Sequence, residues 1–308
     1  MRMRRLGNSG LKVSEVGLGC NNFGMRIDET ETQAVVGAAL DAGINLFDTA
    51  DIYGGTQSEV FLGKALGKRR HEIVLATKFG MDVRGDAAKS GGSRRWIMQA
   101  VEDSLRRLGT DWIDLYQFHR PDPETPVEET LRALDDLVRQ GKVRYIGNSN
   151  FAGWQVADAD WIARTEGLNR FVSAQNEYSL LNRKSAFEVL PACERFGLGV
   201  LPYFPLASGL LSGKYRRGEA PPTDSRLAAW GGRGLTDANF DRVEALEGWA
   251  KARGHTLLEL AFAWLLGQPV VSSVIAGATR PEQVRANAAT ADWRLTPDEV
   301  AEVTALVA

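Results

Sequence analysis

Eight short apolar runs, each the length of a strand and each followed by a stretch of helical length, dominate the 308-residue chain. They are EVGLG (15–19), INLFD (44–48), EIVLAT (72–77), IDLYQFH (113–119), VRYIGNS (143–149), FVSAQN (171–176), GVLPY (199–203) and VSSVIAG (271–277). Near-continuous Val, Ile, Leu and Phe without polar alternation is the pattern of strands covered on both faces, as in a parallel sheet. The stretches between them carry apolar residues at three- and four-residue spacing. Examples are Val35, Val36, Ala39 and Leu40, then Ile97, Val101, Leu105 and Leu108 before Gly109, and Leu131, Leu134 and Leu137 before Gly141. A glycine just past the last periodic residue suits the left-handed position that ends a helix. Eight such units point to an α/β fold closed into a (β/α)8 TIM barrel, for which roughly 250 residues is typical. An open doubly wound sheet is the competing arrangement. No linker separates a second unit, so residues 1–308 read as one domain.

Some pieces fall outside the repeat. The opening MRMRRLGNSGLKVSE carries a turn at Asn8-Ser9-Gly10 and reads as an N-terminal β-hairpin plugging one barrel mouth. Two long connections, 80–92 and 205–234, read as binding loops or lids. Two helical stretches (237–254 and 257–267) precede the last strand, so extra helices are expected near the C-terminus.

Composition narrows the function. With 37 basic and 39 acidic residues interspersed, the chain shows no concentrated basic footprint for nucleic acid. It lacks the apolar run of a secretory signal and any apolar stretch of about 18 residues that would span a membrane. Two cysteines cannot frame disulfides, and His71, His119 and His255 show no metal-ligand spacing. A cytoplasmic protein with no structural metal and a small-molecule partner is expected. Nothing readable in the sequence sets the oligomeric state.

In a (β/α)8 barrel the chemistry sits at the C-terminal strand ends. Those ends carry Asp48, Lys78 and His119 on three consecutive strands, with Tyr53 five residues after Asp48. Any one of them could be an ordinary polar residue near solvent; as a set they have a shared chemistry. Hydride reduction of a carbonyl needs a proton for the nascent alkoxide. A free tyrosine, with a pKa of about 10, holds its proton too tightly near neutrality. An adjacent ammonium stabilises the phenolate, so Lys78 is expected to lower that value. Asp48 would keep the lysine charged and oriented, and His119 would hydrogen-bond the substrate oxygen or help relay the proton to Tyr53. A Schiff-base enzyme using Lys78 is a rival that leaves the tyrosine and histidine unexplained.

These residues sit in longer motifs. NLFDTADIYG (45–54), the lysine of LATKFG, the histidine of DLYQFHRPD and the run VRYIGNSN together resemble the aldo-keto reductase family. The resemblance extends through SAQNEY, PYFPLASGLLSGKY (202–215) and IAGATRPEQVRAN (275–287), covering essentially the whole chain in order. The PLASGLLSGKY run resembles the branch that includes potassium-channel β subunits and bacterial aldo/keto reductases.

The resemblance implies that Asp48, Tyr53, Lys78 and His119 form a catalytic tetrad, and that a nicotinamide cofactor, NADPH (NADP+), lies extended across the barrel mouth. On the matched positions, Ser149, Asn150 and Gln175 would hold its carboxamide and Tyr203 would stack on its ring. Leu206, Ser208, Ser212 and Lys214 would follow the pyrophosphate. Gly277, Thr279, Arg280, Gln283 and Asn287 would meet the adenosine end, and Arg226 would clamp from the long loop. Some branches place a lysine-serine pair where Gly277-Ala278 stands here, which leaves Arg280 to select the 2′-phosphate. Cys20, Phe23, Met81, Arg120, Phe151, Phe204 and Trp230 are candidates for the substrate pocket. The activity implied is NADPH-dependent reduction of an aldehyde or ketone. The channel-subunit branch implies an alternative, a slow-turnover cofactor-binding sensor or regulatory subunit.

Overall fold

In a computed structural model, residues 1–307 are described apart from 84, 87, 88 and 224. The opening hairpin pairs β1 (Met3–Arg5) with β2 (Lys12–Ser14) in antiparallel register. Eight parallel strands follow: β3 (Val16–Gly19), β4 (Leu46–Asp48), β5 (Val74–Phe79), β6 (Ile113–Phe118), β7 (Val143–Ser149), β8 (Ser173–Gln175), β9 (Gly199–Val200) and β10 (Val274–Gly277). Each pairs with the next, and β10 returns to pair with β3. The remaining seam closes through backbone bonds: Val200 N–H donates to Val270 O at 2.8 Å, Ser272 N–H to Val200 O at 2.9 Å and Ile275 N–H to Pro202 O at 3.2 Å. The sheet is therefore a closed barrel.

The connecting helices are α1 (Glu29–Asp41), α2 (Gln57–Leu66), α3 (Arg94–Leu108), α4 (Val127–Arg139), α5 (Gly153–Glu166), α6 (Val189–Phe196), α7 (Arg226–Ala229), α8 (Asp237–Lys251), α9 (Leu257–Leu266), α10 (Pro281–Ala289) and α11 (Pro297–Ala305). The short α7, together with α8 and α11, is extra to a plain barrel. Local chemistry sets the boundaries. Asp28 and Glu31 form a reciprocal capping box at the start of α1, satisfying amides that the helix itself leaves open. Gly109, at φ +63°, ends α3 in the left-handed conformation.

Strand alternation divides the barrel wall into two surfaces. Phe47, Leu75, Phe79, Tyr116, Phe118 and Ile146 face the helices in the large outer core. Leu46, Val74, Ala76, Leu115, Leu201 and Ile275 face inward and form a separate cluster with Leu6 and Val13 of the hairpin. The hairpin thus stoppers the mouth at the strand N-termini. Its turn passes so close to the barrel floor that a Cβ on Gly7 (φ +55°) would lie 2.5 Å from Gly197 O and 2.6 Å from Gly199 N. Only glycine fits there.

Candidate active site

Two residues further along the same strands, the inward positions change character. Leu46 gives way to Asp48, Ala76 to Lys78 and Leu115 to Gln117, because the period of a strand is two. The Lys78 side chain is 0% exposed. Its Nζ donates to Asp48 Oδ2 at 2.6 Å, to Thr49 O at 2.9 Å and to the Tyr53 hydroxyl at 3.3 Å. Burial works to lower the Lys78 pKa, and the Asp48 carboxylate with Tyr53 outweighs it, holding the amine above its ordinary value as an ammonium. Tyr53 follows β4 in a tight turn whose next two residues, Gly54 and Gly55, take φ +58° and +61°. At Gly54 a Cβ would meet Phe23 O at 2.4 Å, so the turn needs glycine there to seat Tyr53.

The phenol departs from the sequence expectation. Burial pushes Tyr53 above its ordinary value; Lys78 pulls it back, but Asp48 adds to the rise and the net direction is up. Lys78 acts in the expected sense without dominating. The group is therefore a proton-bearing phenol near neutrality, with an ammonium in place to receive the phenolate once the proton leaves.

The His119 ring stands 5.8 Å from the Tyr53 ring, nearly perpendicular to it. Burial, then Lys78 and Arg120, hold it well below its ordinary value, so it is neutral. Its Nδ1 is buried without a partner, which leaves Nε2 as the ring nitrogen able to reach the cavity. The next strand braces this wall: Asn150, held at φ +61°, donates from Nδ2 to His119 O at 2.9 Å and accepts from the Tyr203 hydroxyl at 2.8 Å.

These groups open onto a cavity of about 750 Å³ whose lining includes Asp48, Tyr53 and His119, with Lys78 sealed behind them. Every position assigned to the cofactor from the sequence lines it: Ser149, Asn150, Gln175, Tyr203, Leu206, Ser208, Ser212, Lys214, Arg226, Gly277, Thr279, Arg280, Gln283 and Asn287. Four cations, Arg26, Lys214, Arg226 and Arg280, share the lining with one carboxylate, Asp48, among the described residues. Burial, then the nearby Arg26, pull Arg226 below its ordinary value, so an anion between them would be welcome. Arg280 is the N-cap of α10, whose first turn enters the lining through Gln283. Unpaired amides at a helix start favour a phosphate. Left-handed backbone at Ala207, Ser208 and Gly209 shapes the adjoining wall beside Lys214. A cavity lined by four cations, polar side chains and the start of α10 suits a ligand that carries phosphate groups.

The substrate candidates divide. Cys20 and Phe204 line the cavity. Burial pushes the Cys20 thiol well above its ordinary value, so it is a neutral wall rather than a nucleophile. Phe23 is 0% exposed within the outer core, and Phe151 packs edge-on against Phe118 and Phe171. Neither reaches the cavity, because apolar residues just past a strand end turn under the helices. Met81 and Arg120 also lie outside the lining. Trp230 stands one layer out, against the Phe204 ring and the Arg226 guanidinium. Sequence reasoning missed Gln117, two residues before His119 on the same inward face, which strand parity could have exposed. It also missed Arg26 and Asn22 in an aperiodic loop; Asn22 donates to Ala278 O at 3.2 Å and accepts from Arg226 at 3.4 Å, bridging two sides of the mouth.

A model of the aldo/keto reductase family matches residues 15–308. The chain belongs to that family. It is 38% identical over 319 residues to a probable voltage-gated potassium channel subunit beta from Oryza sativa subsp. japonica, spanning 100% of this chain and 97% of that protein. To the uncharacterized oxidoreductase YrpG of Bacillus subtilis it is 39% identical over 296 residues, covering 92% and 89%. The versiconal hemiacetal acetate reductase of Aspergillus parasiticus is 34% identical over 328 residues, covering 97% and 95%. Family and relatives mark this aldo/keto reductase as an oxidoreductase. Among the described residues no helix is long and apolar enough to cross a membrane, and no group of three or more His, Cys, Asp or Glu is placed to hold a metal ion.

Proposed function

We propose that this aldo/keto reductase reduces an aldehyde or ketone to an alcohol with NADPH, using Tyr53 as general acid. The observation that carries the reading is the hydrogen-bonded chain Asp48–Lys78–Tyr53 ending at a cavity wall that also presents His119. The cofactor, when bound, supplies the hydride; Gln175, Ser149 and Asn150 would hold its nicotinamide end and Tyr203 would face the ring. Lys214 and Arg226 would meet the pyrophosphate, and Arg280 with the start of α10 the 2′-phosphate. The substrate carbonyl oxygen sits between the Tyr53 hydroxyl and His119, whose neutral ring offers a hydrogen bond without adding charge. As negative charge develops on that oxygen, Tyr53 gives up its proton and the phenolate left behind is stabilised by Lys78. Asp48 keeps Lys78 protonated inside a wall that would otherwise favour the neutral amine. Run in reverse, the same phenolate accepts the alcohol proton.

Tyr53→Phe removes the proton and little else. Turnover of a reactive aldehyde should fall by about 10²–10⁴-fold, while NADPH affinity, read by fluorescence quenching, stays within about twofold. Full activity in the phenylalanine variant would refute the assignment. The relatives named as potassium channel subunits favour a second reading, a cofactor-binding subunit that turns over slowly. Single-turnover rates compared with cofactor release separate the two: release much slower than hydride transfer, across a wide carbonyl panel, supports the subunit.

A further inference from the structure

The tetrad's carboxylate has more partners than its role as anchor for Lys78 requires. While Oδ2 takes the lysine, Asp48 Oδ1 accepts from Gln117 Nε2 and from Gln175 Nε2, each at 2.9 Å, and Gln175 Nε2 also approaches Gln117 Oε1 at 3.2 Å. Asp48, Gln117 and Gln175 come from β4, β6 and β8, alternate strands of the barrel, so the cluster is a polar version of one of the packed interior layers of this fold. Gln117 pairs in register with Gly147 on β7, where a Cβ would lie 3.3 Å from Gln117 Cγ and 2.3 Å from Ser173 Oγ. A side chain at 147 would therefore crowd Gln117 out of its path across the barrel. Its amide orientation follows from chemistry: turned over, its carbonyl would face the Asp48 carboxylate. Gln117 is also 0% exposed and absent from the cavity lining, whereas Gln175 lines it. Whatever Gln117 does, it does through Asp48 and Gln175 and not by touching a ligand.

We propose that Gln117 is a positioning residue for the proton donor: by sharing Asp48 Oδ1 with Gln175, it disperses the carboxylate charge so that the Lys78 charge is left to face Tyr53. The proposal rests on Tyr53 being the acid of the preceding section. Two effects act in one direction. Without the amide, Asp48 draws Lys78 toward itself, and its undispersed negative charge bears on the phenol. Both disfavour the phenolate. The other ionisable groups around Tyr53 are Cys20, Tyr203 and Arg226, which come from other elements, and His119, which stands two residues beyond Gln117 on the same inward face.

Gln117→Met keeps the volume and removes the donor; Gln117→Glu keeps the shape and adds a carboxylate beside Asp48. The Tyr53 ring resonance, assigned by its absence in Tyr53→Phe, is followed against pH in cofactor-free protein. Its midpoint should rise by about half to one pH unit in the methionine variant and further in the glutamate variant. The alkaline limb of kcat for reduction should move up by the same amount, with cofactor KM within about twofold. An unmoved midpoint in folded variants overturns the proposal, as does a kcat loss uniform across pH. Should neither variant fold, Gln117 is a packing element and the proposal fails. The titration needs no turnover, so it can fail while the Tyr53→Phe assay succeeds, and the reverse.

Discussion

The two mouths of the barrel are built by the same strands and differ within two residues. At the N-terminal mouth, Leu46, Ala76 and Leu115 close on the hairpin's Leu6 and Val13 in one apolar cluster. At the C-terminal mouth, Asp48, Lys78 and Gln117 occupy the next inward positions of β4, β5 and β6, and the space above them is left open as the cavity. One end spends its interior on packing and the other on charge. An ammonium as enclosed as Lys78 is tolerable only because Asp48, Thr49 and Tyr53 surround it.

That contrast breaks most visibly at Lys78. Lys78→Met leaves Asp48 buried without its cation, so the variant should lose about 3–5 kcal/mol of stability and about 10²–10⁴-fold in kcat. Adding Asp48→Asn removes the stranded charge. The double variant should regain much of the stability in a urea titration and none of the turnover. If the single variant is as stable as wild type, the polar mouth is wetter than its geometry implies.

Leu46→Ala, two residues from Asp48, probes the other mouth. Truncating a fully buried leucine costs about 2–5 kcal/mol, and here the loss should appear in the urea midpoint with kcat within about threefold. A large kcat loss would mean that the plug and the tetrad are mechanically one unit. Arg280→Met sharpens the comparison along the cleft: it should weaken NADPH binding by about ten- to hundredfold and leave NADH binding nearly unchanged. Equal losses for the two cofactors would remove Arg280 from the 2′-phosphate.

How far these regions were legible in the sequence follows the same division. The eight apolar runs became the eight barrel strands, since hydrophobic continuity and strand periodicity are local properties. The seam was legible only in part: Pro202 and Ser272 fall inside the runs 199–203 and 271–277, whereas Val270 lies outside them, in a ladder too irregular to leave a pattern. Asp48, Lys78 and His119 stood out as polar residues at strand ends, and the family motifs supplied the cofactor positions. Gln117 did not stand out, because an amide inside an apolar run reads as an interruption until the inward parity of its neighbours is known. Phe23 and Phe151, read as pocket candidates, pack away from the cavity lining for the converse reason. An aromatic beside a site motif looks like a pocket wall, and only packing shows that it turns under a helix. The acidity of Tyr53 was read from its charged neighbour alone; how strongly its surroundings exclude water depends on residues from several distant strands.

The smallest expected effect concerns His119, held neutral by burial and by the cations Lys78 and Arg120. In the unfolded chain its pKa returns to about 6.5. Above that value neither state binds a proton here, and the site is indifferent to pH. Below it the unfolded chain takes up a proton that the folded chain refuses, so the stability this neutral histidine contributes is lost as pH falls from about 6.5 toward its depressed folded value. The slope approaches about 1.4 kcal/mol per pH unit. His119→Asn should abolish that component. The wild-type minus variant difference in unfolding free energy should be flat from pH 8 to 7 and decline toward pH 5. A difference that rises on acidification would mean that the histidine is protonated in the folded protein, and His119 would then meet the carbonyl as a cation rather than as a neutral donor.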